Sequence, residues 1–254
     1  MIRTAQAKLI LPPHADIDQS LGSVLHGYMM DVIDASTADE LHAQEVRPYS
    51  QHVFQKDGQW YWEIHTLTDE TFEKVLKPIL RRDAFLSRQK GYAIGFKDFA
   101  VTEEIDYRDL EERIWLEPER PYKVRLQFVT STSFKSEGKY AIFPLPSLLF
   151  HSLIRKWNLF SDASILAEDH LAEHLEQCFS IVNYSLFMRS FSVEGRWIDA
   201  FQGRLTLGRF RHDNASRLIA LLAQYAVYAG MGIKTALGMG AVHTDVQYRK
   251  DVTS

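Results

Sequence analysis

The stretch YAGMGIKTALGMG, residues 228–240, holds four of the chain's 13 glycines and stands between a helical pattern and an apolar, strand-like run. Glycine permits positive φ and close approach of another backbone, and successive backbone N–H groups in such a loop form a concavity that suits phosphate. Lys234 and Thr235 add a cation and a hydroxyl donor. The stretch therefore predicts a loop that binds an anionic ligand. Its glycines are Gly230, Gly232, Gly238 and Gly240.

The alternative for this glycine loop is a tight connection with a glycine at the helix end. It is not a Walker loop, because the G-x-x-x-x-G-K-[ST] spacing is missing, and a dinucleotide fingerprint would need a strand before the glycines and a helix after them. The order here is helix, glycines, strand. That order argues against a nucleotide cofactor and favours a polyanion such as RNA.

Composition restricts the class of protein. The 254 residues, 46% of them hydrophobic, suffice for one large domain or two small ones. The sequence has no apolar run of the roughly 18 residues that a membrane span needs and no signal-peptide layout, and its one cysteine, Cys178, fits a reducing cytoplasm. The net charge of −4 counts against a general nucleic-acid binder. Clustered cations at 81–90 and 204–211 could still form a local basic track, although a solvated face is the commoner reading.

The order of predicted elements repeats along the chain. Residues 2–11 are predicted as a strand, 17–33 and 36–42 as helices, 52–54 and 60–67 as strands, 68–79 as a helix, and 92–101 as a strand. The acidic stretch 103–119 then separates this half from a second half of the same order. The order β-α-β-β-α-β is the ferredoxin-like signature. We therefore predict an α+β protein with two tandem ferredoxin-like domains, at 1–117 and 118–254.

A group of candidate catalytic residues lies between positions 26 and 47. It contains His26, Tyr28, His42 and Arg47. Histidine is the usual general acid or base near neutral pH, and arginine can stabilise charge that develops on a phosphate oxygen. These residue types suit metal-free RNA cleavage by an adjacent 2′-hydroxyl. Chance placement is the alternative, since the chain has 10 histidines. Helical spacing puts His26 away from the buried face, toward solvent or a partner.

A second possible site is the sequence HLAEH at residues 170–174. It has the H-x-x-E-H form of a zinc metallopeptidase, in which two histidines share a helical face. A third ligand and an orienting outer shell are also needed. An isolated match of this kind is more often a solvated helix face.

Four segments together resemble the sixth family of CRISPR-associated (Cas) endoribonucleases, RAMP-superfamily proteins that cut precursor CRISPR RNA within its repeats. The segments are LGSVLHG at 21–27; LH at 41–42 with RPYS at 47–50; TSFK at 132–135 with IFP at 142–144; and the glycine-rich stretch 230–240. The last is the most specific, and the other three gain weight from their order and spacing.

The resemblance implies tandem RRM-like or RAMP-like domains and a metal-independent cut that leaves a 2′,3′-cyclic phosphate and a 5′-hydroxyl. It matches His42 to the family's general acid/base. The catalytic candidates on the first helix are His26 and Tyr28, and Arg47 stands in place of a family lysine. The glycine loop and Lys135 become RNA contacts, with the two arginine clusters as further candidates. No cofactor and no membrane are expected.

The expected partner is the CRISPR repeat RNA, and interference-complex subunits and a second copy of the chain are further candidates. Three other functions stay open: a non-cutting CRISPR RNA subunit, a zinc hydrolase using His170 and His174, and a generic anion-binding protein. The His42→Ala variant distinguishes the non-cutting subunit from the nuclease, and metal analysis tests the zinc hydrolase. A generic anion-binding protein would show no preference for repeat RNA.

Overall fold

The first half of the chain builds one sheet because its strands carry apolar residues at every second position. In β1 (Ile2–Ile10) this alternation buries Ala5, Ala7 and Leu9 on one face. This computed structural model describes residues 1–13, 15–166, 170–193 and 195–249. The elements that follow are α1 (Leu21–Val32), α2 (Ala35–Ala43), β2 (Tyr49–Lys56), β3 (Gln59–Thr66), α3 (Asp69–Thr71), a π-helical turn (Phe72–Leu76), α4 (Lys77–Ile79), β4 (Ala84–Ser87) and β5 (Tyr92–Ile105).

The five strands are antiparallel neighbours in the order β2-β3-β1-β5-β4. Helix α1 and the helical rod α3–α4 bury their apolar sides against one face of this sheet. Leu25, Met29, Trp62 and Ile64 are fully buried there. Apart from the added edge strand β4, the order is that of a ferredoxin-like sheet.

The second half repeats the arrangement. Its elements are α5 (Tyr107–Trp115), β6 (Arg120–Thr132), β7 (Phe134–Ser136), β8 (Lys139–Ala141), α6 (Pro146–Leu149), α7 (His151–Phe160), α8 (Leu171–Glu176), β9 (Ser180–Met188), β10 (Phe191–Val193), β11 (Arg196–Ile198), β12 (Phe201–Gly208), α9 (Asp213–Ala229), a 3₁₀ turn (Thr235–Leu237) and β13 (Val242–Arg249). The four main strands lie in the order β13-β6-β12-β9, all antiparallel. The predicted class, α+β with tandem ferredoxin-like folds, is confirmed.

Several local predictions need correction. Helix α1 begins at Leu21 and not at Ile17. Helix α2 begins one residue before the predicted 36–42, and its N-cap is Asp34, whose carboxylate accepts the backbone N–H of Ser36 at 2.9 Å and of Thr37 at 3.3 Å. Strand β4 was not predicted at all.

The acidic stretch between the halves contains a helix. Tyr107, Leu110 and Ile114 of α5 are buried and pack into the core of the second sheet. The buried Arg217 guanidinium donates to Ile114 O at 2.7 Å and to Glu117 O at 2.8 Å. It thereby satisfies carbonyl groups that the end of α5 leaves without helical partners. A boundary at residues 117/118 remains a prediction.

The two halves meet at a buried glutamine on β2. Gln51 Nε2 donates to Gly22 O of α1 at 2.8 Å and to Ala236 O of the glycine loop at 3.0 Å. Its Oε1 accepts the indole N–H of Trp62 at 2.9 Å. The side chain is almost wholly buried. One amide thus joins α1, the first sheet and a segment more than 180 residues further along the chain.

Other polar side chains reinforce this junction. Gln19 Nε2 donates to Val129 O at 2.7 Å, and Ser50 Oγ donates to Tyr228 O at 2.5 Å. Both bonds run from a side chain of the first half to a backbone carbonyl of the second. No helix among the described residues has the length and apolar character that crossing a membrane requires.

We expect Gln51→Ala to destabilise the protein by about 2–4 kcal/mol, because it leaves the Trp62 indole N–H and two buried carbonyls without their partner. Urea unfolding followed by circular dichroism measures this change. Gln55→Ala, on the exposed end of the same strand, is the matched control and should change the free energy of unfolding by less than about 0.5 kcal/mol. Equal effects of the two substitutions would show that the buried amide carries no special role.

Candidate active site

His26 lies on the side of α1 that faces the start of β2. Its ring stacks on that of Tyr49, with centroids 6.2 Å apart and planes 21° apart, and its Nδ1 is 3.3 Å from the Tyr49 hydroxyl oxygen. Helical spacing correctly placed the ring outside the apolar core. It did not predict that the ring would pack on Tyr49, which leaves His26 only partly exposed.

This packing sets the protonation of the pair. The pKa of His26 is lowered from 6.5 to about 4, mainly by burial and to a lesser extent by the neighbouring Arg47 and His42. Burial also raises the pKa of the Tyr49 hydroxyl well above its usual range. Near neutral pH the imidazole is therefore neutral and the phenol keeps its proton.

His42 and Arg47 lie where α2 ends. His42 occupies the last turn of the helix and its side chain is exposed. The Arg47 guanidinium donates to the His42 carbonyl oxygen at 3.3 Å, which is a favourable position for a cation at a helix C-terminus. Arg47 and His42 both act electrostatically on His26, so the structure places three of the four predicted catalytic residues near one another.

The fourth, Tyr28, lies elsewhere. It is two residues from His26, hence about 200° around α1. Its ring is buried and stacks on Phe85 at 4.2 Å, beside Trp62 and Phe96. Its hydroxyl oxygen is buried and has no hydrogen-bond partner in the described part of the chain. The structure therefore assigns Tyr28 to the core beneath α1.

The glycine loop packs against α1 and β2. Gly230 ends α9 with φ of 68°, and Lys234 adopts a left-handed φ of 53°. Several backbone N–H groups of the loop are already used within the protein: Met231 donates to Gly240 O at 2.8 Å, Ile233 to Ser133 O at 3.0 Å, and Gly240 to Ser131 O at 3.1 Å. Backbone hydrogen bonds within the loop and to Ser131 and Ser133 therefore hold the loop in place, and RNA contacts by its glycines remain a prediction.

Two of the predicted RNA-binding side chains differ sharply in exposure. Lys234 is exposed, whereas Thr235 is buried and its Oγ1 accepts the Lys156 ammonium at 2.8 Å. Lys156 also donates to Ala229 O. Burial lowers the pKa of Lys156 to about 7. Thr235 and Lys156 hold the loop in place from beneath, and sequence reasoning missed Lys156 entirely.

A cleft of about 800 Å³ lies between the segment after α2, the β7–β8 hairpin, α7 and the glycine loop. Basic side chains dominate the charged part of its lining, and Arg47 belongs both to this cleft and to the histidine cluster. Glu45 also lines the cleft and is paired with Arg155 at 2.7 Å. The basic residues of the lining are Arg47, Lys135, His151, Arg155, Lys156 and Lys234. Such a cleft suits a phosphate backbone.

The other predicted sites fare differently. The arginines at 81, 82, 88, 204, 209 and 211 are all exposed. His170 stands outside α8 with a left-handed φ of 61°, so it and His174 do not share a helical face, and both are exposed. The two histidines therefore lack the geometry of a zinc metallopeptidase motif. Within the described ranges, the one close group of three metal-ligating side chains is His52, Glu63 and His65.

Comparison with known proteins points to one family. The family model of the CRISPR-associated endoribonuclease Cas6 matches residues 126–242. The CRISPR-associated endoribonuclease Cas6 of Streptococcus thermophilus is 31% identical over 240 residues, which cover 92% of this chain and 94% of that protein. Its counterpart from Mycobacterium tuberculosis (strain CDC 1551 / Oshkosh) is 30% identical over 226 residues, covering 88% and 71%.

Solved structures share the fold. Thermus thermophilus Cas6 superposes with a TM-score of 0.73 at 20% identity, covering 96% of this chain and 98% of its own. A Cas6 product complex superposes with a TM-score of 0.80 at 20% identity, covering 96% of this chain and all of its own. The alignment of folds thus spans both halves and the junction between them.

Gly240→Ala should disrupt the loop, because a Cβ there would stand 2.0 Å from Met231 O and φ is 73°. We expect a fall of several degrees in Tm, measured by differential scanning calorimetry. Gly27→Ala on α1 is the matched control, since nothing lies within 4 Å of its added Cβ. Helix propensity should leave that variant unchanged or about 0.5–1 kcal/mol more stable. A Gly240→Ala protein as stable as wild type would contradict the loop geometry.

Acid should destabilise the protein partly through His26. Between pH 6.5 and about 4 the unfolded chain binds a proton that folded His26 does not, so the free energy of unfolding falls as pH falls, by at most about 1.4 kcal/mol per pH unit for each such group. His26→Gln should flatten this slope in urea titrations from pH 7 to 4. The remaining slope belongs partly to His52, whose pKa burial also lowers to about 4. His174→Gln, an exposed control, should retain the wild-type slope.

Proposed function

The chain belongs to the CRISPR-associated endoribonuclease Cas6 family, and on that premise we propose that it cuts precursor CRISPR RNA within its repeats by metal-independent attack of a 2′-hydroxyl. Membership rests on a relative that is 31% identical over nearly the full length of both proteins. The observation that supports the chemistry is the meeting of His26, His42 and Arg47 at the edge of a basic cleft.

RNA is the proposed ligand of the basic cleft. Lys135 and Lys234 are exposed residues of its lining, and Arg47 also lines it. Cations placed along a groove neutralise successive phosphates without requiring a basic protein overall. A net charge of −4 is therefore compatible with this reading. Related folds have been solved as a Cas6 product complex and as a Cas6 substrate mimic complex.

The proposed reaction is a transfer of the phosphodiester within the RNA. A general base takes the proton of the 2′-hydroxyl, and the 2′-oxygen forms a bond to the adjacent phosphorus. The bond from phosphorus to the 5′-oxygen breaks, and a general acid gives that oxygen a proton. The products are a 2′,3′-cyclic phosphate and a 5′-hydroxyl end, so atoms and charge balance without a water molecule or a metal ion.

His42 is the proposed general acid or base, because its imidazole is exposed at the end of α2 beside Arg47. The Arg47 guanidinium would stabilise the charge that builds on the phosphate oxygens. Of the two candidates on α1, we assign the second role to His26 and not to Tyr28. In this assignment the Tyr49 hydroxyl donates to Nδ1, so His26 presents Nε2–H to the phosphate or to the leaving oxygen.

Cleavage of the protein's own repeat RNA in EDTA tests this assignment. Wild-type protein should cut the normal RNA and not a copy with a 2′-deoxy sugar at the cut site. His42→Ala should slow cutting about 10²–10⁴-fold, as expected for loss of a general acid or base. His26→Ala should also slow it, and the measurement is the single-turnover rate constant under saturating protein.

Tyr28→Phe is the matched control for His26→Ala, since it removes the α1 hydroxyl from the core without opening a cavity. It should retain wild-type cleavage. Cutting that persists in both histidine variants would refute the proposed site. Tight RNA binding without cutting by wild-type protein would favour the non-catalytic RNA-binding subunit. Cytoplasmic action, a homodimer and contacts with interference-complex subunits remain proposals of the same kind.

A further inference from the structure

A second cluster of ionisable side chains lies on the far face of the first sheet. In the β2–β3 hairpin His52 stands directly opposite Glu63, and Ser50 opposite His65. Because side chains alternate along a strand, His52, Glu63 and His65 share one face, and Val53, Trp62 and Ile64 occupy the other. The three polar residues therefore face away from α1 and from the site proposed for cleavage.

The three side chains point their ligand atoms at one another. Glu63 Oε1 lies 3.3 Å from His65 Nε2 and 3.8 Å from His52 Nε2, and all three ligand atoms are within 4.8 Å of one another. The two histidine side chains are only 5% and 3% exposed, yet both Nε2 atoms lack a hydrogen-bond partner. A buried polar atom without a partner is costly, so two of them aimed at one carboxylate call for an explanation.

Outer contacts orient two of these groups. His65 Nδ1 is 3.0 Å from Thr4 Oγ1, and Glu63 Oε2 accepts the Gln6 side-chain amide at 2.9 Å. The contact at Nδ1 leaves Nε2 free to present a lone pair, and the contact at Oε2 leaves Oε1 free. Residues that bind metals are commonly held by outer partners of this type.

We propose that His52, Glu63 and His65 bind one divalent transition-metal ion of the zinc class, in a structural site that the cleavage reaction does not use. Imidazole nitrogen and carboxylate oxygen are ligands of choice for zinc. Bonds of about 2.0–2.1 Å in tetrahedral geometry separate ligand atoms by about 3.3–3.4 Å. The distances from Glu63 to the two histidines, 3.3 and 3.8 Å, already lie close to that value, and a water molecule would be the fourth ligand.

The position of the ion gives it a structural consequence. The His65 ring meets the Tyr228 ring edge-on at 5.8 Å, and Tyr228 on α9 donates to Glu103 at 3.0 Å. Ser50, on the same face of β2, donates to Tyr228 O. An ion on the first sheet would thus stiffen the surface on which α9 rests. None of its three ligands lines the basic cleft.

Zinc titration of the full-length protein tests the site. Protein stripped with EDTA and desalted should take up one Zn²⁺ per chain, measured by inductively coupled plasma mass spectrometry after gel filtration. Its Tm should rise by roughly 5–10 °C at a hundredfold excess of Zn²⁺ over the dissociation constant. Co²⁺ in place of Zn²⁺ should give the visible absorption of a tetrahedral site.

Glu63→Gln and His52→Asn should each abolish stoichiometric uptake and the Tm shift, with circular dichroism used to check that they fold. His174→Ala is the matched control, because it removes an exposed histidine outside the cluster and should bind as wild type does. Unchanged uptake by Glu63→Gln and His52→Asn, or no uptake by wild type, would overturn the proposal. Cleavage by wild type in EDTA should be the same before and after stripping, which separates this test from that of the nuclease site.

Discussion

The carboxamide of Gln51 is the contact on which the arrangement of the two halves depends. It binds a carbonyl of α1, a carbonyl of the glycine loop and the indole of Trp62 at once. His26 is on that α1, and Lys234 is in that loop. The position of the histidine cluster relative to the basic cleft therefore depends on this buried side chain. If any of its three contacts is lost, the groups left without a partner have no access to water.

Other contacts between the two halves are of the same kind as those of Gln51, in which a side-chain donor bonds to a backbone carbonyl. The side chains of Gln19 and Ser50 also donate to backbone carbonyls of the second half. Each such bond contributes only about 1 kcal/mol, but breaking one leaves a buried group unsatisfied at a cost of about 1–3 kcal/mol. Such contacts add modestly to the free energy of unfolding. They strongly destabilise any arrangement in which one half is displaced relative to the other. That property suits a site assembled from both halves.

The fold was readable from the sequence because strand alternation is a local signal. Val124, Leu126 and Phe128 alternate with polar residues in the sequence and are buried in β6. The roles of Gln51 and Gln55, on one strand, are not distinguishable by spacing, since burial of a single glutamine depends on what the second half of the chain places above it. Acidic residues around Leu110 likewise concealed a short amphipathic helix whose spacing was present in the sequence.

The candidate site was predicted in part, for similarly physical reasons. Tyr28 lies three residues after Leu25 and seven after Leu21, which is the spacing of one buried helical face. The structure buries its ring on that face, away from the other candidate catalytic residues. Lys156 lies three residues after buried Leu153, on the same helical face, but a lysine is normally read as a surface residue because burying its charge is costly. The pairing of His52 with Glu63 could have been predicted from the sequence. A two-residue turn at 57–58 pairs Lys56 with Gln59 and so fixes every other pair in the hairpin.

The wide spacing of Gln51 and Ala236 also orders events during translation. The five strands of the first sheet lie within the first 105 residues, but the loop carbonyl that completes the Gln51 contacts is 185 residues downstream of it. At about 5–20 residues per second, a ribosome needs roughly 10–40 s to span that interval. Until then a nascent chain displays His26 and His42 without the Lys234 wall of the cleft. Synthesis of the glycine loop is thus the step that completes the cleft proposed to bind RNA.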